Sequence, residues 1–475
     1  MKVLLFGFDG LRPDCITPAV MPRLSGFLAD NVHCTHHRAV YPTETYVNHP
    51  SIFSGFLPEI HGIVANAFFD ASVSRTDFFL GSSVERIEAV ERETRGKLYR
   101  VPSVTETVAR AGRPIVSISS NSAGSTRLIA HKAGSVGGVN IAVNGVQHAL
   151  PVNLRGELFD NARSGEFSIP DLAGLRRMNQ IYRTVCERNG VPDLGIVWYG
   201  EPDHSFHRHG ITGAESIESL RVADECFGEL YDEYAAGDDE VQVAVVSDHG
   251  HITVREHFDI TDALIHCGFR AGEHIADPDA DFVLLWGYSG NIYVLKPELT
   301  RSVCDALKEI PEVGMLFTRN LDGVRGVVPG TFSRRLVGGD DDSRAGDIRF
   351  ILKHESDETC VCAAPIPVGG GIHGGLARAE LDCLLGWGGS AFRSATRVET
   401  VTGAIDITPT IYHLLGITPS IIPQGRIVAE ALAEPAGNEV SAEHRAYEAG
   451  ARGFSQAIEL DTINGHPYLE WGGRT

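Results

Sequence analysis

In the stretch YPTETYVNHPS at 41–51, two threonines flank a glutamate, and an aromatic, an asparagine and a histidine follow at once. A helix is expected to begin near Thr45 and run to about Ser54, which puts Thr45 at its N-cap or first turn. Free backbone N–H groups and the positive end of the helix dipole favour an anion such as phosphate there. Thr45 therefore has two readings, an ordinary cap or a reagent beside a bound anion.

Three apolar runs elsewhere end abruptly in carboxylates: VLLFGFDG (3–10), LGIVWYGEPD (194–203) and VQVAVVSDHGH (241–251). They place Asp9, Asp203 and Asp248 directly after expected strands. An Asp in that position by itself caps the following helix. Three sharing a small volume would repel one another, and a metal cation removes the repulsion. Histidines stand beside two of them. Asp203 and His207 are four apart, on one face of a helical turn, and His249 follows Asp248. His373 lies in the glycine-dense VGGGIHGGL. Mixed carboxylate and imidazole donors suit Zn²⁺ or Mn²⁺ better than Ca²⁺ or Mg²⁺. The spacing of His33, Cys34, His36 and His37 matches no common zinc pattern, so no site is expected there. His204, His209 and His251 adjoin the proposed ligands and stay unassigned, as outer partners or loop residues.

Continuous apolar runs, rather than alternating ones, mark strands covered on both faces and hence a parallel sheet between helices. Apolar residues recur at three and four over Leu172–Asn189 and Ala214–Tyr234, which predicts helices between the strands. The expected fold is α/β, a doubly wound and mostly parallel sheet, in which ligands bind outside the carboxyl ends of the strands. Asp9, Asp203 and Asp248 would then share one edge.

The chain has 475 residues and a net charge of −21, from 41 Lys plus Arg against 62 Asp plus Glu. This balance disfavours a nucleic-acid polymer or an anionic membrane surface as partner. A small anionic substrate remains compatible, since bound cations reverse the potential locally. The apolar run at the N-terminus soon meets Gly7 and Asp9, and no stretch approaches the roughly 20 apolar residues of a spanning helix. Nine scattered cysteines suit reduced thiols. A cytoplasmic protein is expected.

The pieces FDGLRPD, PTETYVN, FLPEIHGIVAN, EPDHSFH, SDHGH, GDIRFIL, GGIHGG and DITPTIYHLLGI, in this order over most of 1–430, resemble the alkaline phosphatase superfamily. The match is to its nucleotide pyrophosphatase/phosphodiesterase branch, with phosphonoacetate hydrolase a near relative. The resemblance implies two divalent ions, Zn²⁺ first and Mn²⁺ second. One would be held by Asp203, His207 and His373, the other by Asp9, Asp248, His249 and the Thr45 hydroxyl. It makes Thr45, rather than Thr43, the nucleophile of a phospho-threonine mechanism. Asn66 would hold a non-bridging phosphoryl oxygen, and Tyr46 would face a nucleobase or leaving group or else pack in the core.

The implied function is hydrolysis of phosphodiester or nucleotide pyrophosphate bonds. A phosphonoacetate hydrolase-like C–P hydrolase or a phosphomonoesterase is the alternative enzyme, and a metal-dependent phospho-ligand binding protein the alternative without turnover. No cysteine stands in a sulfatase-type C-x-P-x-R context. The segment 117–132 loosely corresponds to where phosphonoacetate hydrolase carries substrate-binding lysines, and here Asn121 and Ser122 stand instead, which ranks a phosphodiester ahead. The expected organisation is a catalytic core over 1–270 and 346–431, an inserted cap over 271–345 containing the acidic run 339–342, and an extension over 432–475. The aromatic end of that extension would dock on the body or on another subunit, so a homo-oligomer stays open.

Overall fold

The structure, a computed structural model, describes residues 1–155, 167–285, 287–341, 343–363, 365–434 and 440–475. Asp342, the last of the acidic run, and 435–439 of the C-terminal extension lie outside the described residues.

An eight-stranded sheet runs through the body in the order 396–398, 32–34, 385–388, 241–246, 2–8, 194–199, 115–119, 139–142. The last five strands are mutually parallel, and Leu385–Gly388 pairs antiparallel with Val241–Val246. The mostly parallel sheet expected from the apolar runs is therefore present. Alternate residues of Lys2–Phe8 serve opposite faces. Leu4, Phe6 and Phe8 pack with Met178, Tyr182, Phe227 and Leu230 of the helices Leu172–Asn189 and Ala214–Tyr234. Val3 and Leu5 pack with Val47, Ile52 and Phe53 of the helix Thr45–Ser54 and with Ile407 and Ile411. Each fully buried aliphatic or aromatic side chain contributes about 1.5–3 kcal/mol, so two such cores fix which face each strand residue takes.

A second sheet of six strands, drawn from 271–352, stands beside this body. A smaller one pairs Ile252–His257 antiparallel with Gly371–Ile372, which carries the segment holding His373 back to the strand edge. The C-terminal Ala442–Ala451, Phe454–Ile463 and His466–Arg474 form an antiparallel sheet. Its Ile458 and Leu469 join the core of the six-stranded sheet. Tyr468 donates its hydroxyl proton to Asp406 Oδ2 at 2.9 Å, so the aromatic end lies on the body. No helix among the described residues is long and apolar enough to cross a membrane.

Candidate active site

Strand register decides where the acids fall. Gly7 pairs with both Trp198 and Val246, so the three central strands end together. The residues that follow then meet at one edge. Asp9 N–H donates to Tyr199 O at 2.9 Å and Asp203 N–H donates to Asp9 O at 3.1 Å. Gly10 N–H donates to Asp248 Oδ1 at 3.0 Å. Gly10 has φ +67°, a left-handed turn that suits glycine.

Asp203 opens the helix Asp203–His209, and one turn later His207 Nε2 lies 3.2 Å from Asp203 Oδ1. His373 completes this group, its Nε2 3.5 Å from Asp203 Oδ1 and 3.2 Å from His207 Nε2. Its Nδ1 donates to Thr43 O at 2.7 Å. Thr43 Oγ1 accepts from Gly374 N at 2.8 Å and donates to Gly375 O at 3.0 Å. Thr43 therefore ties down the glycine loop, which leaves Thr45 as the threonine facing the acids. Burial, and then the neighbouring imidazoles of His249, His207 and His251, hold the His373 pKa well below its ordinary value. A neutral imidazole is the form that binds a metal.

Thr45 is the first residue of the helix Thr45–Ser54, whose N-cap Glu44 makes no side-chain cap. Its Oγ1 lies 3.0 Å from His249 Nε2 and 3.4 Å from Asp9 Oδ1. His249 Nε2 is also 3.6 Å from Asp9 Oδ1 and 3.5 Å from Asp248 Oδ2. Asp9 Oδ2 accepts from Asn121 Nδ2 at 2.5 Å and from Trp198 Nε1 at 3.0 Å, which aims Oδ1 at Thr45. Burial, and next the Asp248 carboxylate, push the Asp9 pKa up to about 6.

Asp203 Oδ1, Asp248 Oδ2, His49 Nε2 and His251 Nε2 are buried and have no hydrogen-bond partner. Each such orphan costs about 1–3 kcal/mol in an ordinary interior, and four of them gather in one place. Their donor types fit divalent ions. Among the described residues the converging sets are Asp203, His207, His251 and His373; Asp9, Asp203 and His249; and Asp9, His49 and Asp248. The seven positions expected from the sequence thus come together, and His49 and His251 join them.

Both additions had a signal. His49 follows Thr45 by four, on the same helix face, and its Nε2 reaches Asp248 Oδ2 at 3.4 Å. His251 follows His249 by two in SDHGH, and the two rings lie 5.3 Å apart. The histidines at 36 and 37 turn to other partners. His37 Nδ1 meets Thr402 Oγ1 at 2.9 Å and His36 Nδ1 meets Glu399 O at 3.0 Å.

A cleft of about 290 Å³ opens beside the histidines, with Glu44, Tyr46, Asn66, Tyr288, His207 and His373 among its walls. No lysine or arginine lines it among the described residues. Asn66 Oδ1 accepts from Tyr46 N at 3.2 Å. Its backbone N–H is held by Glu44 Oε2 at 2.5 Å. Asn121 is engaged by Asp9, and Ser122 Oγ lies 3.3 Å from the Tyr46 hydroxyl.

Residues 3–353 match the family model described as type I phosphodiesterase / nucleotide pyrophosphatase. The chain is 26% identical over 255 residues to venom phosphodiesterase 2 of Crotalus adamanteus, an alignment covering 52% of this chain and 26% of that protein. It is 26% identical over 252 residues to ectonucleotide pyrophosphatase/phosphodiesterase family member 3 of Rattus norvegicus, covering 52% and 24%. The chain thus spans about a quarter of the length of these relatives. The solved structure of murine ectonucleotide pyrophosphatase/phosphodiesterase 5 superimposes with a TM-score of 0.66 at 20% identity, over 91% of this chain and 100% of the other. An inactive threonine-to-alanine variant of that protein, in complex with AMP, gives a TM-score of 0.64 at 19% identity, with the same coverage.

Proposed function

The chain belongs to the type I phosphodiesterase / nucleotide pyrophosphatase family of the alkaline phosphatase superfamily, and from that premise we propose that it hydrolyses a small phosphodiester or nucleotide pyrophosphate through a phospho-threonine at Thr45. The observation that carries this reading is the position of Thr45 Oγ1, at a helix N-terminus, within 3.4 Å of both His249 Nε2 and Asp9 Oδ1.

Asp203, His207 and His373 would hold one divalent ion, and Asp9, Asp248, His249 and Thr45 the other. Imidazole-rich donors put Zn²⁺ first and Mn²⁺ second. Such ions, when bound, supply positive charge to the attacking and departing oxygens of an in-line displacement and lower the pKa of an attached hydroxyl.

Thr45 Oγ1 forms a bond to phosphorus as the bond to the departing oxygen breaks. The proton lost by Thr45 is balanced by the one the departing group takes up. The phosphoryl group on Thr45 still carries its second ester substituent, and water then adds to phosphorus, restoring the Thr45 hydroxyl and releasing a phosphomonoester. The Asn66 amide donates to a non-bridging oxygen where negative charge gathers. Tyr46 presents an aromatic wall to the retained or leaving group.

The cleft favours a diester over phosphonoacetate. A substrate carboxylate would find no lysine or arginine among its described walls and would face Glu44 instead. Residues 271–345 act as a cap in this reading, since Tyr288, Ser289 and Asn291 form the far wall between the core segments 1–270 and 346–431.

Zinc- or manganese-loaded protein is expected to hydrolyse bis-p-nitrophenyl phosphate faster than p-nitrophenyl phosphate or phosphonoacetate, and Thr45→Ala to lose that turnover. Turnover that survives Thr45→Ala would reject the nucleophile. No turnover of any of the three by the native protein would favour a phospho-ligand binding protein.

A further inference from the structure

His251 is buried and belongs to neither of the two ligand sets just named. Its Nδ1–H donates to Gly10 O at 3.1 Å, which leaves the Nε2 lone pair facing inward. His207 and His373 are pinned in the same way, their Nδ1 atoms on Gly371 O at 2.7 Å and Thr43 O at 2.7 Å. Three Nε2 lone pairs therefore converge with the Asp203 carboxylate.

One contact decides what His251 does there. Its Nε2 lies 3.1 Å from Asp203 Oδ1, close enough for a hydrogen bond. Neither atom has a hydrogen-bond partner, so the two are close without being aimed at each other. Two ligands of one ion stand in that relation. Tetrahedral zinc with bonds of about 2.0–2.2 Å separates its ligand atoms by roughly 3.3–3.5 Å. The measured edges of this group are 3.1 Å from His251 to Asp203, 3.2 Å from His207 to Asp203, 3.5 Å from His373 to Asp203 and 3.2 Å between His207 and His373.

We infer that His251 is a fourth protein ligand of the Asp203 metal site, which gives that site three imidazoles and one carboxylate. The inference deepens the metal-dependent reading above and rests on it. Gly10 supports the arrangement. A Cβ there would stand 2.3 Å from His251 Cε1, so glycine makes room for the ring as well as for the turn. A nitrogen-rich set of four selects zinc over manganese more strongly than three ligands would. It also means that a substrate oxygen reaches this ion only by raising its coordination to five or by displacing a ligand.

The test is a crystal structure of the zinc-loaded protein with anomalous scattering, together with zinc counting on variants. The expected ion lies about 2.0–2.2 Å from Asp203 Oδ1 and from Nε2 of His207, His251 and His373. His251→Ala should bind zinc at this site at least about ten-fold more weakly in competition with a chelator, while His209→Ala keeps wild-type affinity. An ion held by Asp203, His207 and His373 with His251 Nε2 beyond about 3 Å overturns the inference and leaves the proposed function standing. Wild-type zinc affinity in His251→Ala overturns it too. No ion near Asp203 at all would remove both.

Discussion

Thr45 Oγ1 and His249 Nε2 lie 3.0 Å apart although 204 residues separate them in the chain. The contact follows from register: the strand before His249 and the strand before Asp9 end flush, and the helix that begins at Thr45 packs its Val47 and Ile52 beneath that edge. A hydroxyl is thereby held beside acids and imidazoles by the two hydrophobic cores rather than by local sequence.

Removing metal should destabilise the fold. Asp203 Oδ1, Asp248 Oδ2, His49 Nε2 and His251 Nε2 are buried without a hydrogen-bond partner, so chelator-treated protein should unfold at a lower Tm. Added zinc at a hundred times its Kd should restore about 2.7 kcal/mol per site. A Tm that ignores both treatments would mean that the cluster takes no ion.

Asn66 is held by two contacts, and they allow its roles to be separated. Asn66→Asp keeps an oxygen for Tyr46 N but loses the amide donors, whereas Asn66→Ala loses both. Each should lower kcat by about 10²–10³ on bis-p-nitrophenyl phosphate, the usual effect of losing one such donor. Unchanged kcat in Asn66→Asp would take the amide out of the reaction.

Much of this was legible in the sequence, and the reason is periodicity. The helices Leu172–Asn189 and Ala214–Tyr234 coincide with their apolar pattern, and the buried strands with their unbroken apolar runs. The acids could be placed because a parallel sheet has only one carboxyl edge. His251 stands two after His249, which hints at the site, but its role could not be read, since the tautomer that aims its Nε2 is set by Gly10 O, 241 residues away in sequence. The six-stranded sheet was also hidden. Its strands include pairs of only two residues, such as Ala271–Gly272 and Phe332–Ser333, too short to show a period. In the C-terminal sheet the strand Ala442–Ala451 is mostly exposed, so no apolar alternation marks it.

Arg344 joins the 271–352 region to the segment beneath the cleft. It is buried, with Nε donating to Asp70 Oδ2 at 3.0 Å and Nη1 to Gly62 O at 2.6 Å and Leu98 O at 2.7 Å. Arg344→Met leaves Asp70 buried without its cation, and should cost about 3–5 kcal/mol in urea unfolding. A loss below about 1 kcal/mol, the level of an exposed pair, would show that this link is not structural.

Acid should weaken the fold partly through His37. Burial, and next the charge of Arg38, lower its pKa to about 3. The unfolded chain takes up a proton as pH falls through about 6.5, whereas the folded chain resists until about 3. The stabilising contribution is thus full above pH 6.5 and drains between 6.5 and 3. Glu380 works in the opposite direction, since burial raises its pKa to about 8 and favours the folded state as pH falls. Comparison with a variant isolates the histidine: the Tm lost between pH 7 and pH 5 should be smaller in His37→Gln than in wild type, and an equal loss would contradict the assignment.

In the proposed reaction Thr45 Oγ1 is the atom bonded to phosphorus midway. Metal-loaded protein mixed with bis-p-nitrophenyl phosphate, quenched in acid within the first turnover and mapped by peptide mass spectrometry, tests it directly. A p-nitrophenylphosphoryl adduct is expected on Thr45 in the wild type and none in Thr45→Ala. An adduct on another residue, or rapid turnover with Thr45 never modified, would contradict it.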